Sequence, residues 1–231
     1  MSISLDEAVE LTRTGDVWVF RGRSVPDRAI QFTTNSPVNH VGMAVVLDDM
    51  PPLMWHAELG RSLPDLWSGT HQRGVQLHDL RDAVGVWANR YGQRAWLRQL
   101  DPPADGEMER AVLRTIARLD GTPFPSTAQL AWRWVRGRVP ALPRPGRAVL
   151  PRPGRAVPRS TPATSAGERD RALETAYCAE VVAVTYEAMG LLPAGRRPNW
   201  YDPGRFWSGD DLGLAADARL GSEIEVRVPP R

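Results

Sequence analysis

The sequence predicts an α+β domain: a small antiparallel sheet packed against helices, with a cysteine-bearing helix C-terminal to the sheet. Three observations predict it. Residues 40–59 read as two strand-like runs around a Pro-rich turn. Residues 107–119 and 178–190 carry apolar side chains at helical spacing. Hydrophobic content of 42% and charged content of 24% over 231 residues suit a folded core. A chain of this size buries roughly 70% of its unfolded surface, so it needs no disulfide or metal to fold.

Ser4-Leu5-Asp6-Glu7 is a capping box before an amphipathic helix that should end near Gly15. Asp16 to Phe20 is an apolar strand. Pro26 to Thr34 has the pattern of a short helix, with Pro near its start, where a missing N–H is harmless. His40 to Leu47 and Leu53 to Leu59 form the hairpin, turning at Asp48 to Pro52. Gly74 to Leu77 and Ala95 to Leu100 are further strands. Glu107 to Leu119 is a helix by the spacing of Met108, Val112, Ile116 and Leu119, stopped by Gly121. Ala128 to Val135 reads as another helix. Leu142 to Val149 is repeated residue for residue as Leu150 to Val157, within an Arg/Pro-rich stretch at 137–170. Such a segment can neither form a ladder nor bury a core, and it reads as a disordered insertion in one domain spanning 1–231. The cysteine helix then runs to Gly190. Asn199 to Trp207 is a loop rich in aromatics, and Glu223 to Val228 alternates like a strand.

Several classes are set aside. All 29 basic residues are Arg, but the net charge is only +2, which argues against a nucleic-acid protein. No run of eighteen apolar residues predicts a membrane span, and the N-terminus lacks a signal pattern, so a cytoplasmic location is expected. No helical His-x-x-x-His pair, phosphate loop or Gly-x-Ser-x-Gly elbow occurs, and neither metal nor cofactor is expected.

The chemistry points to Cys178, the single cysteine. A thiol at a helix start meets N–H groups that favour the thiolate, and an imidazole can accept its proton. His40 stands at the mouth of a strand. With the turn centred near residue 50, paired positions sum to about 100, which puts Glu58 diagonal to His40 on the same face. Glu58 is thus the first candidate to orient the imidazole and His56, two residues deeper, the second.

Several segments, in this order, resemble the circularly permuted papain-like hydrolases, the YiiX/YaeF-type relatives of the NlpC-type cysteine peptidases. They are Gly15 to Gly22, Ser36 to Met43, Ala57-Glu58, Gly74-Val75, Gly121 to Phe124, and Tyr177 to Val182. The resemblance covers most of the chain outside the insertion, although Phe124 stands where a Tyr is commoner. It implies a permuted papain-like (NlpC-type) fold with Cys178 as nucleophile, His40 as base, Glu58 as third member and Tyr177 at the substrate. The implied function is a thiol hydrolase of amide or ester bonds, acting on a small peptide, acyl-amide or lipid through an acyl-enzyme. An acyltransferase with the same dyad, or an inactive binding module with an Arg/Pro-rich arm, are the alternatives.

Overall fold

Alternation along the central strands dictates two apolar faces, and the chain covers both with helices. The computed structural model describes residues 2–22, 37–58, 62–123, 178–196, 200–208, 212–215 and 217–230. The expected helices at Pro26–Thr34 and Ala128–Val135, the 137–170 insertion and Tyr177 lie outside these residues. The strands are β1 (Ser2–Ser4), β2 (Val17–Arg21), β3 (His40–Val45), β4 (Leu53–Glu58), β5 (Gly74–Asp79), β6 (Arg94–Arg98), β7 (Leu100–Asp101), β8 (Arg219–Leu220) and β9 (Ile224–Arg227). The helices are α1 (Leu5–Leu11), α2 (Leu80–Tyr91), α3 (Gly106–Leu119) and α4 (Cys178–Ala188), with a 3-10 turn at Pro203–Phe206.

The α+β class holds, but the sheet is not small. Among the described residues it has seven strands in the order β1-β9-β6-β2-β3-β4-β5. All neighbours are antiparallel except β1 and β9. The sheet is larger than expected because β9, the strand read at Glu223 to Val228, joins it at β6 and brings in β1, which the sequence reading did not include. β9 also follows the cysteine helix in the chain, so that helix is not C-terminal to the whole sheet. Among the described residues, no helix is long and apolar enough to cross a membrane.

One face carries Val17, Val19, Val41, Met43, Trp55 and Ala57 and is covered by α3 and α4. The helix α4 lies directly on β3 and β4. It is buried on most sides because it sits between the sheet and α3, as its run of small and β-branched apolar residues demands. Two polar contacts fix it. Trp55 Nε1 donates to Thr185 Oγ1 at 3.0 Å, and Tyr186 Oη donates to the Gly15 carbonyl at 2.6 Å. Gly15 has φ +91°, and a Cβ there would fall 2.8 Å from Leu100 Cδ2. Next to it, Asp16 accepts the backbone N–H groups of Leu100 and Arg13, each at 2.8 Å. Burial pushes its carboxyl up to about 6 against those two donors.

The opposite face carries Trp18, Phe20, Ala44 and Met54 beneath α1 and α2. The capping box of α1 forms as read, with Ser4 and Glu7 exchanging hydrogen bonds of 2.7 and 3.2 Å. Asp79 caps α2 by accepting Asp82 N–H at 2.9 Å. Leu80, Ala83, Val84 and Trp87 form its buried stripe, and each fully buried side chain of this kind contributes about 1.5–3 kcal/mol over leaving it exposed.

Candidate functional site

Even-numbered residues of β3 and β4 point to the α2 face. At the mouth of β3, Asn39 Oδ1 accepts Gly22 N–H at 2.6 Å and Asn39 N–H donates to the Phe20 carbonyl at 2.9 Å. These bonds set where the strand begins and aim His40 toward α2. The His40 ring lies 5.8 Å from that of Phe20 and 4.9 Å, edge-on, from Trp87.

The hairpin pairs Met43 with Trp55 and Val45 with Leu53, so paired positions sum to 98, two below the expected value. The turn closes one residue earlier than the sequence suggests. This puts His56 across from Gly42 and diagonal to His40, and the two rings meet with His40 Nε2 3.2 Å from His56 Nδ1. His56 Nε2 in turn lies 3.0 Å from Nδ1 of His78, supplied by β5. Gly42 keeps this row open: a Cβ there would fall 2.4 Å from Met54 Sδ and 3.4 Å from His56 Cβ.

Glu58 is not against His40. Its Oε2 stands 3.9 Å from His78 Nδ1, and its two oxygens accept Ser62 Oγ–H at 2.8 and 3.0 Å. The Trp87 side chain also hydrogen-bonds the carboxylate. Burial raises the Glu58 pKa, and these donors only partly offset it. Burial also lowers the imidazoles: His40 to about 3 and His78 to about 4, with His56 well below its ordinary range. The neighbouring rings add to this at His40 and His56, while Asp65 opposes it at His78. The result is a row of neutral imidazoles ending at a buried carboxylate. The ligand atoms of His56, Glu58 and His78 all lie within 4.8 Å of one another.

Cys178 begins α4 and belongs to the core layer on the other face of the sheet. Its thiol is approached by the backbone N–H groups of Val41, Ala179 and Cys178 itself. The β3–β4 bridges stop at Met43 and Trp55, so Val41, paired with Val19 of β2, has no bridge on its β4 side. Sγ therefore lies against the peptide unit that joins His40 to Val41. The N–H groups lower the thiol pKa as a helix start should, but burial outweighs them and pushes it up to about 12.

The structure thus joins His40 to Glu58 through His56 and His78, and places Cys178 in the adjoining layer. Sequence reading missed His78, Ser62, Gln76 and Trp87 as members of this region. Trp87 was detectable: the spacing of Leu80, Ala83, Val84 and Trp87 after Asp79 is a capped helix pattern.

No family model matches the chain, and no curated protein matches it. Among solved structures, the chain is similar to the metalloprotein yiiX from Escherichia coli O157:H7. The two share 19% identity with a TM-score of 0.45, over 76% of this chain and 65% of that one.

Proposed function

We propose that the chain is a thiol hydrolase of amide or ester bonds, with Cys178 as nucleophile and His40 as base. One observation carries this reading. The Cys178 thiol, at the first residue of a helix, rests on the Val41 N–H at the point where the β3–β4 ladder opens, one residue from His40. In the conformation described, the thiol is protonated and His40 is turned to His56. Reaction requires the His40 ring to turn from His56 into the opening beside Sγ.

The thiol proton then passes to His40, and Sγ bonds to the acyl carbon. The carbonyl oxygen takes up negative charge, and the N–H groups of Cys178 and Val41 are the donors available to it. Collapse breaks the bond to the leaving amine or alkoxide, which takes the proton from His40. Water then attacks the thioester and gives a proton to His40; the carbon–sulfur bond breaks, the acid leaves, and Sγ takes the proton back from His40. His56 holds the resting His40 ring, and Glu58 acts further along the row.

Intact-protein mass spectrometry during turnover of short peptide amides, N-acyl amino acids and lipid esters tests the reading. The expected result is a mass gain equal to the acyl group, absent in Cys178→Ala, with turnover lost in His40→Ala. Transfer of the acyl group to an added amine would make the enzyme an acyltransferase with the same nucleophile. Full turnover by Cys178→Ala would overturn the reading.

A further inference from the structure

We propose that His56, Glu58 and His78 form a binding site for a divalent transition-metal ion of the zinc type, on the face of the sheet opposite Cys178. The three side chains come from adjacent strands, β4 and β5, and all point toward α2. Two ligands of a tetrahedral zinc with metal–nitrogen bonds near 2.0–2.1 Å stand about 3.3 Å apart. The nitrogens of His56 and His78 are 3.0 Å apart, and Glu58 Oε2 is 3.9 Å from His78 Nδ1. These two separations are within about 0.6 Å of that spacing, and all three ligand atoms lie within 4.8 Å of one another, so rotation of the side chains by up to about 1.5 Å closes them on one ion.

Three further observations favour a cation over a plain hydrogen-bonded row. Among the described residues, Glu58 has no Arg at ion-pair distance; only His78 is that close. A buried carboxylate ordinarily has a cationic partner or a metal. Gln76, directly across from His56 and fully buried, leaves both polar atoms of its amide without a partner. Its carbonyl oxygen is a fourth donor or a support for a metal-bound water. Outer contacts suited to a metal centre are also in place. With Nε2 on the ion, the single N–H of a neutral His56 sits on Nδ1 and is donated to His40, while Ser62 and Trp87 hold Glu58. A donor set of two imidazoles and one carboxylate suits zinc and its neighbours rather than magnesium or calcium.

Cys178 is not a ligand, so this site does not depend on the thiol reading, and acyl labelling of Cys178 scores that reading separately. The experiment titrates Zn²⁺ into the chelator-treated full chain by calorimetry, with metal analysis after dialysis, and records the visible spectrum with Co²⁺. One ion per chain is expected. Affinity should fall about 100-fold in His78→Ala and at least 10-fold in Glu58→Gln, and stay unchanged in Cys178→Ala. Co²⁺ should give the intense visible bands of a four-coordinate site without sulfur charge transfer. If His78→Ala does not fold, Glu58→Gln and the Co²⁺ spectrum decide. No bound metal, unchanged affinity in folded Glu58→Gln, or the weak spectrum of hydrated Co²⁺ would overturn the proposal.

Discussion

Thr185→Val tests what holds the cysteine helix on the sheet. Thr185 Oγ1 accepts the Trp55 indole N–H at 3.0 Å and donates to the Val181 carbonyl at 2.7 Å, and both residues are fully buried. Valine keeps the shape, and its helix propensity is close to that of threonine. Val181 O retains its backbone donor within the helix. The loss therefore falls on the indole N–H, left buried without an acceptor, at a cost of about 1–3 kcal/mol. A chain of this size loses about 2–4 °C per kcal/mol, so the melting midpoint should drop by about 2–12 °C. Urea unfolding gives the same quantity as a shift in midpoint at constant slope. In a Trp55→Phe background the indole is already gone, so the second change should cost less, with a coupling of about 0.5–3 kcal/mol. A Thr185→Val midpoint equal to wild type, or strict additivity of the two changes, would refute this account of how α4 is anchored.

Other outcomes follow from the shifted groups. Cys178 should react slowly with iodoacetamide at pH 8, because burial holds its thiol at about 12; in urea the rate should rise to that of an ordinary thiol, which titrates near 8.5. Reaction of the folded protein with a midpoint at or below 8.5 would contradict the buried geometry. Asp120 is raised from 3.8 to about 7 by burial first and then by Asp65. The folded state keeps this proton while the unfolded chain releases it, so the stabilisation is complete below pH 3.8 and is lost as pH rises to about 7. Asp120→Asn should flatten that decline, read as urea midpoints at pH 5 and pH 8; an equally steep decline in the variant would place the proton elsewhere.

The parts legible in the sequence were those set by local pattern. Ser4 and Glu7 announced α1, the stripe from Met108 to Leu119 announced α3, and the alternation around Trp55 announced the hairpin. Register was less legible. Shifting the hairpin sum from 100 to 98 makes His56 diagonal to His40 and would set Glu58 opposite it, but the ladder stops at Met43 and Trp55, and the Glu58 carboxylate goes to Ser62 and His78 instead. A turn of Asp and Pro residues offers several closures, and composition does not choose among them. His78 was hidden because its role depends on which strand lies beside β4, a long-range choice made by packing. The metal-type trio was missed for the same reason: His56-x-Glu58 is an ordinary strand alternation until β5 adds the third donor. The rise in the Cys178 pKa was likewise invisible, since a helix start can be read from sequence but the depth of burial cannot.

The pairing of β1 with β9 sets an order of assembly. β9 lies between β1 and β6, and Ser2 faces Glu225 while Ser4 faces Arg227. β1 therefore has no ladder to join until β9, more than 200 residues later in the chain, is in place. Leu5 and Ala8 of α1, which cover the face beneath that edge, wait with it. Residues 2–4 are thus held to the sheet only through a strand distant in sequence, and the β6 edge stays unpaired until residues 224–227 close it.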